Sequence, residues 1–228
     1  MSEAAAPLRR IRSFVRREGR MTDGQKRALD ALWPRYGLEP GAPIEPRQYF
    51  GREAPLVLEI GFGSGDYLLA RASTEPDRDF IGVEVHRPGV GRLLIRAEAA
   101  GLSNLRVAAH DAVSLLQEQL GDAVLDELVI QFPDPWHKKR HHKRRLIQPE
   151  FAHLAARRLK VGGCLLLATD WADYAEQMLD VLNACPDLRN LAPGNGYAPR
   201  PATRPRTRFE ARGERLGHAV FDLAYVRV

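Results

Sequence analysis

Cysteine is scarce in this chain of 228 residues: only Cys164 and Cys185 occur, one inside an apolar run and one just ahead of Pro186. A disulfide framework is thereby excluded, and neither a cysteine metal centre nor any other metal is expected. Long apolar runs are missing too. None approaches the roughly 20 residues that a membrane span needs, and residues 1–7 offer no basic start followed by an apolar core. The expected setting is the cytoplasm, with no membrane partner. Acid is missing where base is densest: residues 137–145 hold six Lys/Arg and three His with no Asp or Glu.

Charge is distributed very unevenly around the net +5. Residues 9–27 carry eight Lys/Arg against two acids, and residues 200–215 carry six against two. With 137–145, these segments hold 20 basic and 4 acidic residues, which leaves 14 basic and 25 acidic for the rest. An ordinary solvated surface intersperses the two signs. Three basic segments on an acidic body suit a phosphate backbone, through counterion release and direct contacts.

A chain of this length with 44% apolar residues can bury one sizeable core. Strand-like runs lie at 55–60, 79–85, 104–109, 126–132 and 163–168, with amphipathic stretches near 65–74, 88–100, 112–120, 148–159 and 171–184. Strands separated by helix-length connections predict βαβ units, hence an α/β fold with a mostly parallel sheet and helices on both faces. The alternating run 219–228 predicts a final strand. Between them, 190–217 is rich in Pro, Gly, Asn and Arg and reads as a long loop that is either a binding loop or disordered. Residues 1–50 are read as a basic arm and appendage ahead of a main domain at 51–228.

Carboxylates stand at the end of every predicted parallel strand: Glu59, Glu84, Asp111, Asp134 and Asp170. Ligands of open α/β sheets bind at these ends, so all five are expected to rim one crevice. The first end reads Glu59-Ile60-Gly61-Phe62-Gly63-Ser64-Gly65-Asp66, in which glycines permit a tight turn and close approach to a ligand. Dinucleotide enzymes space their third glycine one place later and hold a pyrophosphate there. Glu59 and Asp66 would repel a pyrophosphate and suit a ligand carrying an amino group and a sulfonium. Glu84 is placed to accept from ribose hydroxyls, and His110-Asp111 to receive an adenine amino group. This array is similar to that of class I S-adenosylmethionine-dependent methyltransferases, with their Rossmann-like fold and C-terminal antiparallel strand. A nicotinamide oxidoreductase and a non-catalytic RNA-binding scaffold are the alternatives.

The fourth strand runs into Phe132-Pro133-Asp134-Pro135-Trp136 and then into the basic segment. That stretch to Arg145, the loop from Glu59 to Gly65, and Pro201-Ala202-Thr203-Arg204-Pro205-Arg206-Thr207-Arg208-Phe209-Glu210 together resemble the bacterial tRNA (guanine-N7)-methyltransferase family. The resemblance runs from about residue 10 to the end. It implies that Glu59, Gly61, Gly63, Gly65, Glu84, Asp111 and Asp134 bind S-adenosylmethionine, with Asp134 also catalytic. It further implies that Lys138, Asp170, Thr207, Arg208, Phe209 and Glu210 bind the substrate, and that Arg140, Lys143, Arg144 and Arg145 contact RNA. The implied product is 7-methylguanosine at a guanosine of the tRNA variable loop, made by a monomer or homodimer without an obligate protein partner. Arg208 stands where Lys is usual in the family.

Overall fold

The computed structural model describes residues 13–14, 19–202, 204 and 219–228. The chain begins with α1 (Asp23–Tyr36), a two-residue β1 (Gly37–Leu38) and a short α2 (Pro46–Phe50). Alternation follows: β2 (Leu56–Ile60), α3 (Asp66–Thr74), β3 (Asp79–Val83), α4 (Arg87–Ala99), β4 (Leu105–Ala108) and α5 (Ala112–Ser114). After β5 (Leu125–Gln131) come α6 (Pro149–Arg158), β6 (Leu159–Thr169), α7 (Ala172–Asn183), β7 (Leu188–Asn190) and β8 (Phe221–Arg227). One eight-stranded sheet results, in the order β1-β4-β3-β2-β5-β6-β8-β7. Strands β1 to β6 pair in parallel, whereas β8 runs antiparallel to β6 and β7 antiparallel to β8.

Every residue of β2 and β3 is buried, as continuous apolar strands covered on both faces should be. Alternate side chains serve opposite faces. Leu58, Ile81, Leu128 and Leu165 meet Phe151 and Ala155 of α6 and Tyr174 and Met178 of α7. On the other face Val57, Phe80, Val107 and Val129 meet Leu68 of α3, Leu93 and Leu94 of α4, and Leu29 and Tyr36 of α1.

The main departure from the sequence reading is at the N-terminal side. Residues 23–50, set apart there as appendage, are built into the sheet unit. Strand β1 extends the sheet edge by pairing Gly37 with Val107, and α1 packs along α4. Tyr36 is fully buried, and the single proton of its hydroxyl is shared between Glu98 at 2.8 Å and the Leu102 carbonyl at 3.1 Å. Buried Gln119 donates to the carbonyls of Glu39 and Ala42, while Ile44 N–H donates to the Gln119 carbonyl. Helix α1 starts on a capping box in which Thr22 and Gln25 satisfy each other's backbone N–H groups.

Two smaller departures lie elsewhere. The expected helix at 112–120 splits into α5 and a π-helical turn, Leu115–Gln119, which puts Gln119 where it can reach those carbonyls. Residues 190–202 are not one structureless loop: β7, the 3-10 turn Pro193–Asn195 and a bridge from Ala198 to Asp222 tie them to the sheet.

Candidate active site at the carboxyl ends of the strands

Past β2 the backbone reverses through Gly61, Gly63 and Gly65, with φ of 73°, 56° and 75°. These are left-handed values that only glycine adopts at little cost. Gly63 N–H donates to Glu84 Oε2 at 2.9 Å, and Glu84 Oε1 accepts from the N–H groups of Val85 and His86 at 2.7 and 2.9 Å. Glu84 therefore braces the turn as well as facing the crevice, and three of its roughly four acceptor directions are in use. The start of α4 lies so close that a Cβ on Gly89 would come within 2.2 Å of the Gly63 carbonyl oxygen.

Glu59, the penultimate residue of β2, is 3% exposed, and its Oε2 has no hydrogen-bond partner among the described residues. Burial pushes its carboxyl up to about 8; Arg71 opposes the shift, while Glu84 and Asp66 add to it. An orphaned buried carboxyl is costly to keep, and a cationic ligand group would relieve it. Asp66 is different. It accepts from the Ser64 hydroxyl at 2.6 Å and pairs with Arg96 at 2.5 Å, contacts that hold its carboxyl below the ordinary range. Its charge is thus matched within the protein, so Asp66 adds little to the repulsion expected of the pair.

A cavity of about 190 Å³ opens at the strand ends, lined by Gly61, Glu84, His110, Asp111, Phe132 and Asp134 among others. His110 Nε2 is a second buried polar atom without a partner among the described residues. Asp111 caps α5, its Oδ1 accepting from Val113 N–H at 2.8 Å. Asp134 is exposed; its Oδ1 accepts from Trp136 N–H at 3.1 Å. The residues two before and two after it, Phe132 and Trp136, have φ of 49° and 48°. Side chains other than glycine rarely sit there, and such strain is held only where the surroundings over-determine it. Here Phe132 N–H donates to the Ala168 carbonyl, and buried Trp136 lies under the Arg144 guanidinium, 4.4 Å from the ring centre. Trp136 Nε1–H donates to the carbonyl of Ser13 at 3.1 Å, and Ser13 and Phe14 line the cavity too.

Comparison with known proteins bears on what this site is. A family model described as "Putative methyltransferase" matches residues 53–223. A tRNA (guanine-N7)-methyltransferase of Methylococcus capsulatus is 57% identical over 223 residues, 98% of this chain and 96% of that protein. One from Pseudomonas aeruginosa is 56% identical over 227 residues, 99% of this chain and 93% of its own length. The chain belongs to the tRNA (guanine-N7)-methyltransferase family. Solved structures share its fold at low identity. The 16S rRNA methyltransferase KamB aligns with a TM-score of 0.53 at 17% identity, covering 97% of this chain and all of KamB. TrmN of Thermus thermophilus gives 0.52 at 18%, covering 90% of this chain and 48% of its own.

For this tRNA (guanine-N7)-methyltransferase family member, the structure sorts the residues singled out from sequence. Glu84, Asp111 and Asp134 line one cavity beside the glycine turn, and Glu59 is buried at the end of β2. Asp170, half-buried at the end of β6, does not line that cavity. Its neighbour Trp171 stacks against His137 at 4.3 Å between ring centres. Trp171 was not foreseen; an aromatic next to a strand-end acid was the available signal. Lys138, Arg140 and Lys143 are exposed on the 3-10 segment Lys139–Arg144 or beside it. Arg145, expected to contact RNA, is turned inward. It is 2% exposed, and its guanidinium is consumed by the Pro135 carbonyl at 2.8 Å, Gln177 at 2.7 Å and Asp173 at 2.5 Å, so it fastens the loop behind Asp134 to α7. Thr207, Arg208, Phe209 and Glu210 lie outside the described residues, as does much of the basic arm. Nearby Arg204 is described and forms a buried two-bond pair with Asp222 of β8.

Proposed function

We propose that this protein transfers a methyl group from S-adenosylmethionine to N7 of a guanosine in the variable loop of tRNA. The observation that carries the reading is a cavity rimmed by Glu84, Asp111 and Asp134 beside the glycine turn, with the orphaned carboxyl of Glu59 directly before cavity-lining Ile60 and Gly61 in the chain. The names of the close relatives supply the acceptor. S-adenosylmethionine, when bound, supplies a methyl group activated on a sulfonium. The donor set fits such a molecule: Glu59 for the ammonium, Glu84 with its remaining acceptor direction for the ribose, and His110 with Asp111 for the adenine. Gly61, Gly63 and Gly65 leave the turn without side chains, so the ligand can approach the backbone.

Guanine N7 is an in-plane lone pair with no proton to lose, so no strong base is needed. The work of this chain is to place N7 in line with the methyl group, and positioning supplies most of the acceleration. Methylation moves positive charge onto the guanine ring. Asp134, which lines the cavity together with Phe132 and accepts from Trp136 N–H, stabilises that charge. Carboxylates at Asp134, Asp170 or Glu210 can accept from guanine N1 and N2 and leave N7 open, whereas an arginine fork on N7 would block the reacting atom. Lys138, Arg140, Lys143 and Arg144 meet the phosphates, with Thr207, Arg208, Phe209 and Glu210 completing the substrate side.

The test is transfer of labelled methyl from S-adenosylmethionine to unmodified tRNA, followed by nucleoside analysis. The expected product is 7-methylguanosine, lost when the variable-loop guanosine is replaced. Cofactor binding with transfer to some other acceptor, or to none, overturns the reading.

A further inference from the structure

We propose that His153, Cys185 and Asp187 form a binding site for a divalent cation of the zinc type, where α6 meets the turn between α7 and β7. His153 projects from the middle of α6, and Cys185-Pro186-Asp187 is that turn. His153 Nδ1 lies 3.7 Å from Cys185 Sγ and 3.8 Å from Asp187 Oδ2, and the three donor atoms all fall within 4.8 Å of one another. With metal–sulfur and metal–nitrogen bonds of ~2.3 and ~2.0 Å, the donors of a tetrahedral zinc site stand about 3.5 Å apart. Two of the three separations are already close to that. His153 and Asp187 are more than half exposed, so their side chains can shift the remaining distance. Cys185 is buried and held by the turn's own bonds, its N–H donating to the Leu182 carbonyl and its carbonyl accepting from Leu188 N–H.

A nucleophilic relay is the competing use of a Cys, His and acid cluster, and the geometry opposes it. A relay needs thiol and carboxylate on opposite ring nitrogens; here one nitrogen faces both, so the donors converge on a single point. Arg157, Arg158 and Arg227 line the same hollow, with Glu150 one turn before His153. Their guanidinium groups are bonded away from the three donors, and Asp122 and Glu150 offset part of their charge. Arg158 bonds Asp122 and the Leu116 carbonyl, Arg157 bonds Asp122, and Arg227 donates to the carbonyls of Leu159 and Arg157. A sulfur, nitrogen and oxygen donor set selects zinc-like ions over magnesium or calcium. Binding displaces the thiol proton, leaving thiolate on the metal and one proton in solution. The hollow shares no residue with the strand-end cavity, so the ion is a tie between α6 and the sheet edge. An isolated cysteine gave no sign of this in the sequence, from which no metal was expected.

The experiment is titration of the full chain with Co²⁺ in a thiol-free reductant, read by the thiolate-to-cobalt charge-transfer band. One equivalent should produce the band and Zn²⁺ should bleach it. Cys185→Ser should abolish the band, and Cys164→Ser should leave it intact. His153→Gln, on an exposed side chain, keeps the fold and should weaken Co²⁺ binding by more than the roughly 10- to 100-fold that losing a mere outer-shell partner costs. No band in the wild-type protein, a band that survives Cys185→Ser, or unchanged affinity in His153→Gln overturns the proposal.

Discussion

Glu59 makes the site sensitive to pH. Its carboxyl titrates near 8 in the folded protein against an ordinary value of 4.5, so the folded state holds a proton that the unfolded chain releases. That contribution to stability is complete below about 4.5 and is lost as pH rises through 8. Denaturant midpoints should therefore fall across this window, and Glu59→Gln should flatten the slope; an unchanged slope refutes it. Cofactor binding runs the other way. An incoming ammonium favours the ionised carboxylate, so affinity for S-adenosylmethionine should rise from pH 6 to 8 with release of a proton, measured by calorimetry in buffers of different ionisation enthalpy. Asp134→Ala should lower the single-turnover rate roughly 10²-fold or more if Asp134 positions the reactants; an intact rate removes it from the mechanism. Arg145→Lys keeps charge but loses the fork that spans Pro135, Gln177 and Asp173. It should cost roughly 2 kcal/mol of stability, and a loss confined to tRNA affinity would show that Arg145 faces RNA after all.

Among the elements, Arg204 and Asp222 join the stretch after Pro201 to β8 with side chains only 2% and 7% exposed. Breaking a buried pair costs about 3–5 kcal/mol, so Arg204→Ala should destabilise the protein and weaken tRNA binding while cofactor affinity changes less. Equal losses of both would place the pair's effect on the whole fold. The central strands were legible because each is mainly apolar with an acid at or shortly past its end, as Glu59 stands in Leu56–Ile60 and Glu84 just beyond Asp79–Val83. Helix α1 was not. Its charged residues outnumber its buried ones, Ala28, Leu29 and Tyr36, and Pro34 lies inside it; beyond the Thr22 capping box, packing on α4 supports it. A two-residue strand such as β1 has no periodicity to read, and Gly162 and Gly163 disguised the first turn of pairing in β6. At the site, residue types were readable but not orientation: nothing in the sequence separates buried Arg145 from exposed Lys143.

For the molecule as a whole, basic residues gather in three segments on an otherwise acidic body. Affinity for tRNA should fall steeply with salt, and deletion of residues 1–12, which spares Ser13, Phe14 and the Thr22 cap of α1, should reduce the salt slope. RNA binding should suffer more than cofactor binding; equal losses contradict an arm that grips phosphate. The edge strand carries a further consequence, in time. Gly37 pairs with Val107, 70 positions later in the chain. At roughly 5–20 residues per second, translation takes about 4–14 s to supply that partner. Helix α1 and the basic residues ahead of it therefore emerge from the ribosome well before the strand that β1 pairs with exists, beside a surface of ribosomal RNA phosphates. The edge closes only after β4 has been made, so β1 and α1 wait for some 70 further residues before their place in the sheet exists.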